Sequence, residues 1–315
     1  MMSWQIQAGA RYRWATAFAV ALTAVSGDLF AQQQPSGDAA PVCTAKNLES
    51  TVTVGQLKIS AFSAEAADCL QVTSGTKVLY RGTIEGGGRL TLGQAGSDGD
   101  IPPIANGADV TGRGNPDLIV SMFTGGAHCC TSHYLYELAP EVRLLARFND
   151  ADDDMAHFGR DAKDRKYYYY TADWTFRYWP TCFACSPSED VILRFVDDAN
   201  GGAYHVAFDK MQKPAPKQAA WNKELSTAQK AVNDGAVNDM GQAMWGVVLD
   251  LIYTGHSDLA WKFVDALGPT AQQKPFASLE DFCSLLRKSP YWPDLGPTLK
   301  DPPAACAYTA PASTK

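Results

Sequence analysis

The chain has 315 residues, with 34 acids against 27 lysines and arginines, and a formal net charge of −7. A mildly acidic surface repels phosphate backbones and anionic headgroups, which disfavours nucleic acid and anionic lipid as partners and leaves cations, sugars and other proteins open. Beyond residue 31 no stretch is apolar for the roughly 20 residues that a membrane-spanning helix needs.

At the start, Arg11 and Arg13 precede a short apolar run over 14–25, and small residues follow. A basic flank, a short apolar core and small residues downstream make a secretory signal peptide over 1–31, cleaved after Ala31 or near Gly27. The mature chain is therefore expected in the periplasm or outside the cell, without a transmembrane anchor. Loss of Arg11, Arg13 and Asp28 moves its net charge from −7 to −8. Residues 32–41, rich in Gln, Pro, Ser, Gly and Ala, carry too little apolar surface to pack and read as a disordered leader.

All eight cysteines lie in the exported part: Cys43, Cys69, Cys129, Cys130, Cys182, Cys185, Cys283 and Cys306. An even number in an oxidising compartment argues for disulfides. Cys43 and Cys69 bracket the first strands, and Cys283 and Cys306 bracket the last helix and the tail. The simplest use of the other four joins Cys129 and Cys130 to Cys182 and Cys185, with the connectivity open. His128, His133 and these four cysteines would also suit zinc or copper. Oxidised cysteines are not metal ligands, so the compartment favours disulfides.

Over 42–212 the pattern is that of a disulfide-stapled β domain. The segment 52–60 alternates, 69–72 and 77–81 follow around Gly75, and glycines punctuate the chain near residue 86. A polar turn from Asp109 then feeds the apolar strand 118–123, a glycine-rich corner and a returning strand that ends near Leu138. Val142 to Phe148 reads as a third strand. Tyr167 to Trp179 carries eight aromatics in thirteen residues. Residues 191–196 and 203–208 read as a hairpin.

Two prolines in 213–217 mark a boundary, after which the period becomes helical. Helices are predicted over 221–232, 237–253, 258–267 and 279–288, the second with Met240, Met244, Val247, Val248 and Leu251 at three- and four-residue steps. Ser278 with Asp281 opens the last as a capping box. These form a small helical domain over 217–289, and 290–315 is a Pro-rich tail expected to run extended. The fold class is α+β, an antiparallel β domain followed by a small C-terminal helical domain.

Asp109, Thr111, Arg113 and Asp117 take the first, third, fifth and ninth places of the polar turn. This stretch, from Asp109 to Val120, resembles the acidic repeat loop of the FG-GAP and VCBS families, which precedes a strand in bladed β proteins and often binds calcium. A weaker copy starts at Asp161. The resemblance implies degenerate repeats within the β domain and a calcium-like site at Asp109, Thr111 and Asp117, with no other cofactor expected. Arg113 departs from it, because a guanidinium has no acceptor for a cation. The alternative is a metal-free turn in which Arg113 pairs with Asp109 or Asp117.

No Gly-x-Ser-x-Gly elbow, His-Glu-x-x-His or phosphate loop is present. The function expected is that of an exported, non-enzymatic binding or envelope-associated protein, with a protein or a carbohydrate as partner and Trp174, Tyr178 and Trp179 as ligand-binding aromatics. The alternative is a hydrolase acting on polysaccharide or peptide, with those aromatics as substrate platform and Asp150 to Asp154 or Asp161 as acid and base.

Overall fold

A computed structural model describes residues 43–310, apart from 65–66, 86–87, 95–100, 126–130, 151, 154, 180 and 274–276. The expected signal peptide, the leader 32–41, and His128, Cys129 and Cys130 fall outside the described residues. Within them the chain is α+β: three antiparallel four-stranded sheets followed by a helical C-terminal region.

The first sheet is a meander of β1 (Leu48–Val54), β2 (Leu57–Ala64), β3 (Ala67–Ser74) and β4 (Lys77–Glu85). Its hairpins turn at Gly55 and Gly75, with φ of 59° and 56°, a left-handed conformation that tight hairpin turns require. The second sheet runs β5 (Arg89–Leu92), β6 (Asp117–Phe123), β7 (Thr131–Glu137) and β8 (Arg143–Asn149). The third is ordered β12-β11-β10-β9, from β9 (His157–Arg160), β10 (Tyr167–Asp173), β11 (Glu189–Val196) and β12 (Ala203–Val206).

The middle sheet is covered on both faces, which explains the unbroken apolar run of β6. Alternate residues point opposite ways along a strand. Leu118, Val120 and Met122 accordingly join Ile59, Leu70 and Val72 of the first sheet in one core, while Ile119 joins Phe158, Tyr169 and Val191 of the third in another. Phe148 of β8 stacks on Tyr169 of β10 with centroids 3.9 Å apart. The aromatic run thus fills a sheet-to-sheet core at Tyr169, not a surface.

After one turn, α1 (Phe208–Met211), come α2 (Gln218–Asn233), α3 (Val237–Met240), a π-helical segment Gly241–Gly246, α4 (Val247–Tyr253), α5 (Ser257–Leu267) and α6 (Leu279–Leu286). The predicted second helix is therefore continuous but under-wound at its centre. Ser278 and Asp281 form the capping box. The helices share the second core with the sheets: Phe176 stacks on Phe282 at 4.9 Å and Trp245 on Phe282 at 4.8 Å.

Two expectations change. Cys182 bonds to Cys185 inside its own 3-10 turn, with Cα atoms 5.1 Å apart, so it does not reach the glycine corner. A Cys-x-x-Cys turn already brings its Cα atoms within bonding range, and no chain reversal is needed. Cys43–Cys69 and Cys283–Cys306 pair as bracketed, at Cα separations of 5.5 and 4.8 Å. The tail is extended only in part. It makes a helical turn, α7 (Trp292–Leu295), and buries Leu295 and Cys306 because the Cys283 bridge ties it onto α6.

Candidate functional site

The Asp109 loop crosses into β6 with Gly112 and Gly114 at positive φ, 76° and 82°, which turns successive amides inward. Those amides take up the acids. Asp109 accepts from the backbone of Arg113 and Gly114, each at 2.9 Å. Asp117 Oδ2 accepts from Val110 N at 2.8 Å, Thr111 N at 2.9 Å and the Thr111 hydroxyl at 3.1 Å. Burial nonetheless pushes the Asp117 carboxyl up to about 6, against the lowering by these bonds. The set is not arranged for calcium, which wants oxygens converging on one point: both Asp109 oxygens and Asp117 Oδ2 are turned to backbone amides, while Asp117 Oδ1 is buried without a partner among the described residues. Among the described residues no group of three or more His, Cys, Asp or Glu is arranged to hold a metal.

Arg113 pairs with neither Asp109 nor Asp117 through its side chain. Amides take both oxygens of Asp109 and Oδ2 of Asp117, and the guanidinium leaves the loop. Its Nε lies 3.4 Å from Glu137 Oε1 and 3.7 Å from Asp197, and Nη1 donates to the Gly201 carbonyl at 2.8 Å.

Beside this loop, a groove of about 470 Å³ runs between Asp109–Gly112 and the β9–β10 turn. Arg160, Arg165, Lys166 and Arg194 line it, with Tyr167 and Phe195 as aromatic walls. Asp161 shapes the turn by accepting from the amides of Lys163 at 2.8 Å and Asp164 at 3.1 Å. Arg165 closes the turn at φ 63°, a left-handed position where glycine costs least.

The acids of the turn do not neutralise its arginines. Lys210 takes both, at 3.3 Å from Asp161 and 2.7 Å from Asp164, and the Tyr168 hydroxyl donates to Asp164 at 2.6 Å. Lys210 first, then Tyr168, holds Asp164 well below the usual carboxylate range. Arg160 donates to the Arg165 carbonyl at 2.8 Å and lies over the Tyr167 ring at 5.7 Å. Arg194 pairs with Asp209. Arg160, Arg165 and Lys166 have no acidic partner among the described residues, so three positive charges face one concavity of an acidic protein.

Two of the three predicted aromatics meet: Trp174 stacks on Phe183 at 5.2 Å, and Tyr178, 64% exposed, lies 5.3 Å from the same ring. Trp179 is separated from them, packed against Phe176 and Trp245. It is drawn onto the helices with Phe176, where both rings pack against Phe282. Of the acid cluster, Asp150 is buried on His133 and Tyr169, and Asp152 pairs with Arg177. Asp161 is committed to turn amides. Neither Trp174 nor Trp179 lines a described pocket beside two facing carboxylates.

The groove cations were missed by sequence reasoning, although a signal existed: Arg160, Lys163, Arg165 and Lys166 put four bases into seven residues of a chain with excess acid. Net charge averaged that cluster away. No helix among the described residues is long and apolar enough to cross a membrane. No protein-family model matches the chain, and neither a curated protein nor a solved structure matches it.

Proposed function

We propose that the protein is an exported, non-enzymatic binding or envelope-associated protein that holds an acidic glycan in the groove between the Asp109 loop and the β9–β10 turn. The observation that carries this reading is the trio Arg160, Arg165 and Lys166, without ion-pair partners among the described residues, in a groove walled by Tyr167 and Phe195 where Asp109 is the one lining acid and is held by backbone amides. Arginine forks match carboxylate and sulfate oxygens two at a time, and aromatic faces take the apolar face of a sugar ring. The left-handed Arg165 supports it, since a side chain kept where glycine would relax the backbone by about 1–2 kcal/mol has a use outside the fold.

Export rests on the signal-peptide pattern of 1–31 together with three disulfides. In this reading the sheets are diverged copies of one four-strand unit of FG-GAP or VCBS type. Support comes from the equivalent position of the two acidic loops, each leading into the second strand of its meander, β6 and β10. In this reading the copies have lost calcium: amides take both oxygens of Asp109 and one of Asp117 in the first loop, and amides with Lys210 take the acids of the second. Equilibrium binding to polygalacturonate and to neutral dextran, at low and high salt, tests the proposal. Binding should be confined to the acidic polymer and should weaken with salt.

A further inference from the structure

A second concavity lies in the helical region, away from the groove. It encloses about 350 Å³ between the 213–217 linker, α2, α4 and α5, within the range of small-molecule sites. Pro214, Pro216, Trp221, Val247, Leu251 and Phe263 make its apolar walls. Gln242 and Gly246 also line it, from the π-helical segment Gly241–Gly246, an under-wound turn of a type that is rare and concentrated at functional sites. The segment is held in place from behind. A side chain at Gly241 would come 2.3 Å from the Cys185 carbonyl, so the disulfide turn presses directly on the helix.

The polar groups at the rim fix the chemistry. Lys213 is spent on Asp250, and His256 Nε2 lies 2.8 Å from the Lys213 carbonyl, to which it donates. No positive charge is left to receive an anion. Glu224 has no ion-pair partner among the described residues. The Gln242 amide nitrogen donates to the Ser186 carbonyl, which leaves Oε1 as a free acceptor close over Gly246. Two acceptors, one of them charged, thus line the same pocket as the aromatic side chains of Trp221 and Phe263. A carboxylate, an amide oxygen and an indole ring together suit an ammonium group on an apolar body.

We infer that this pocket binds a small organic cation, an amine or quaternary ammonium carrying an aromatic or aliphatic group. The site is independent of the glycan groove. The test is calorimetric titration of the full mature chain with phenethylammonium, 2-phenylethanol and 3-phenylpropanoate, on wild type and on Glu224→Gln. The ammonium should bind at least about tenfold tighter than the alcohol or the carboxylate. Glu224→Gln should weaken the ammonium at least about fivefold and leave the alcohol unchanged. Ala220→Trp, which fills the pocket from an exposed position of α2, should abolish binding of all probes with an unaltered circular dichroism spectrum. Equal affinity for the charged and neutral probes, an unchanged ammonium affinity in Glu224→Gln, or no ammonium binding at about 10 mM, where a site of the usual strength saturates, would overturn the inference.

Discussion

Arg113 reaches out of its own loop to Glu137, with Nε 3.4 Å from Oε1, and that contact ties the Asp109 turn to the end of β7. Glu137 is 1% exposed in its side chain and is also held by Arg143 Nε at 2.8 Å and Asn115 at 2.9 Å. Burial raises its pKa, but Asn115, Arg143 and Arg113 outweigh burial and hold it below the usual carboxylate value. Arg113 continues to Asp197 and Gly201 in the β11–β12 hairpin, so one buried acid organises two sheets.

Removing that acid leaves two guanidinium groups facing each other. Glu137→Ala is expected to cost about 3 kcal/mol in urea unfolding, because a buried pair broken on one side leaves uncompensated charge. Arg113→Ala should cost about 1 kcal/mol or less, as its side chain is partly solvated and Arg143 remains. Calcium should shift the melting temperature of neither variant nor wild type.

Asp117 gives a pH signature. Its pKa rises from 3.8 to about 6 on folding, so the folded state binds the extra proton between those values. Stability from this group is fully present below pH 3.8 and is lost as pH rises through 6. The difference between wild type and Asp117→Asn, measured by thermal melts from pH 4 to 7, should move by on the order of 2–3 kcal/mol in favour of the variant as pH rises.

The sheets and helices were legible because their signals are local: alternation over 52–60, the apolar run of β6, three- and four-residue spacing from Met240 to Leu251, and a capping box at Ser278. What was not legible depends on which neighbour wins a shared group. Arg113 looked like a counter-ion for Asp109, yet backbone amides reach that carboxylate first, and a sequence does not display amide directions. Of Trp174, Tyr178 and Trp179, the first two meet on Phe183, but the helices take Trp179 into their core with Trp245. Arg165 and Lys166 were overlooked beside Asp161 and Asp164 because Lys210, 46 and 49 residues from those acids in sequence, is the base that satisfies them.

His133 carries a buried polar knot. Its Nδ1 lies 2.8 Å from both Asp150 Oδ2 and the Tyr169 hydroxyl, and its Nε2 is buried without a partner among the described residues. An ionised Asp150 can only accept, so Nδ1 carries the hydrogen. Asp150→Ala removes the charged acceptor and leaves that N–H only the Tyr169 oxygen, at an expected cost of about 1–3 kcal/mol by chemical denaturation. Asp150→Asn, which keeps one acceptor, should cost about half as much.

The acidic-glycan groove is tested most directly by Arg165→Gly combined with Lys166→Ser, assayed for polygalacturonate binding and for stability in the same preparation. Glycine relieves the left-handed backbone at φ 63°, so the double variant should melt at the wild-type temperature or above. Its affinity for the polymer should fall at least about tenfold, and its salt dependence should become shallower by the loss of two charges. A double variant that binds the polymer as tightly as wild type, with the same salt dependence, would contradict the account.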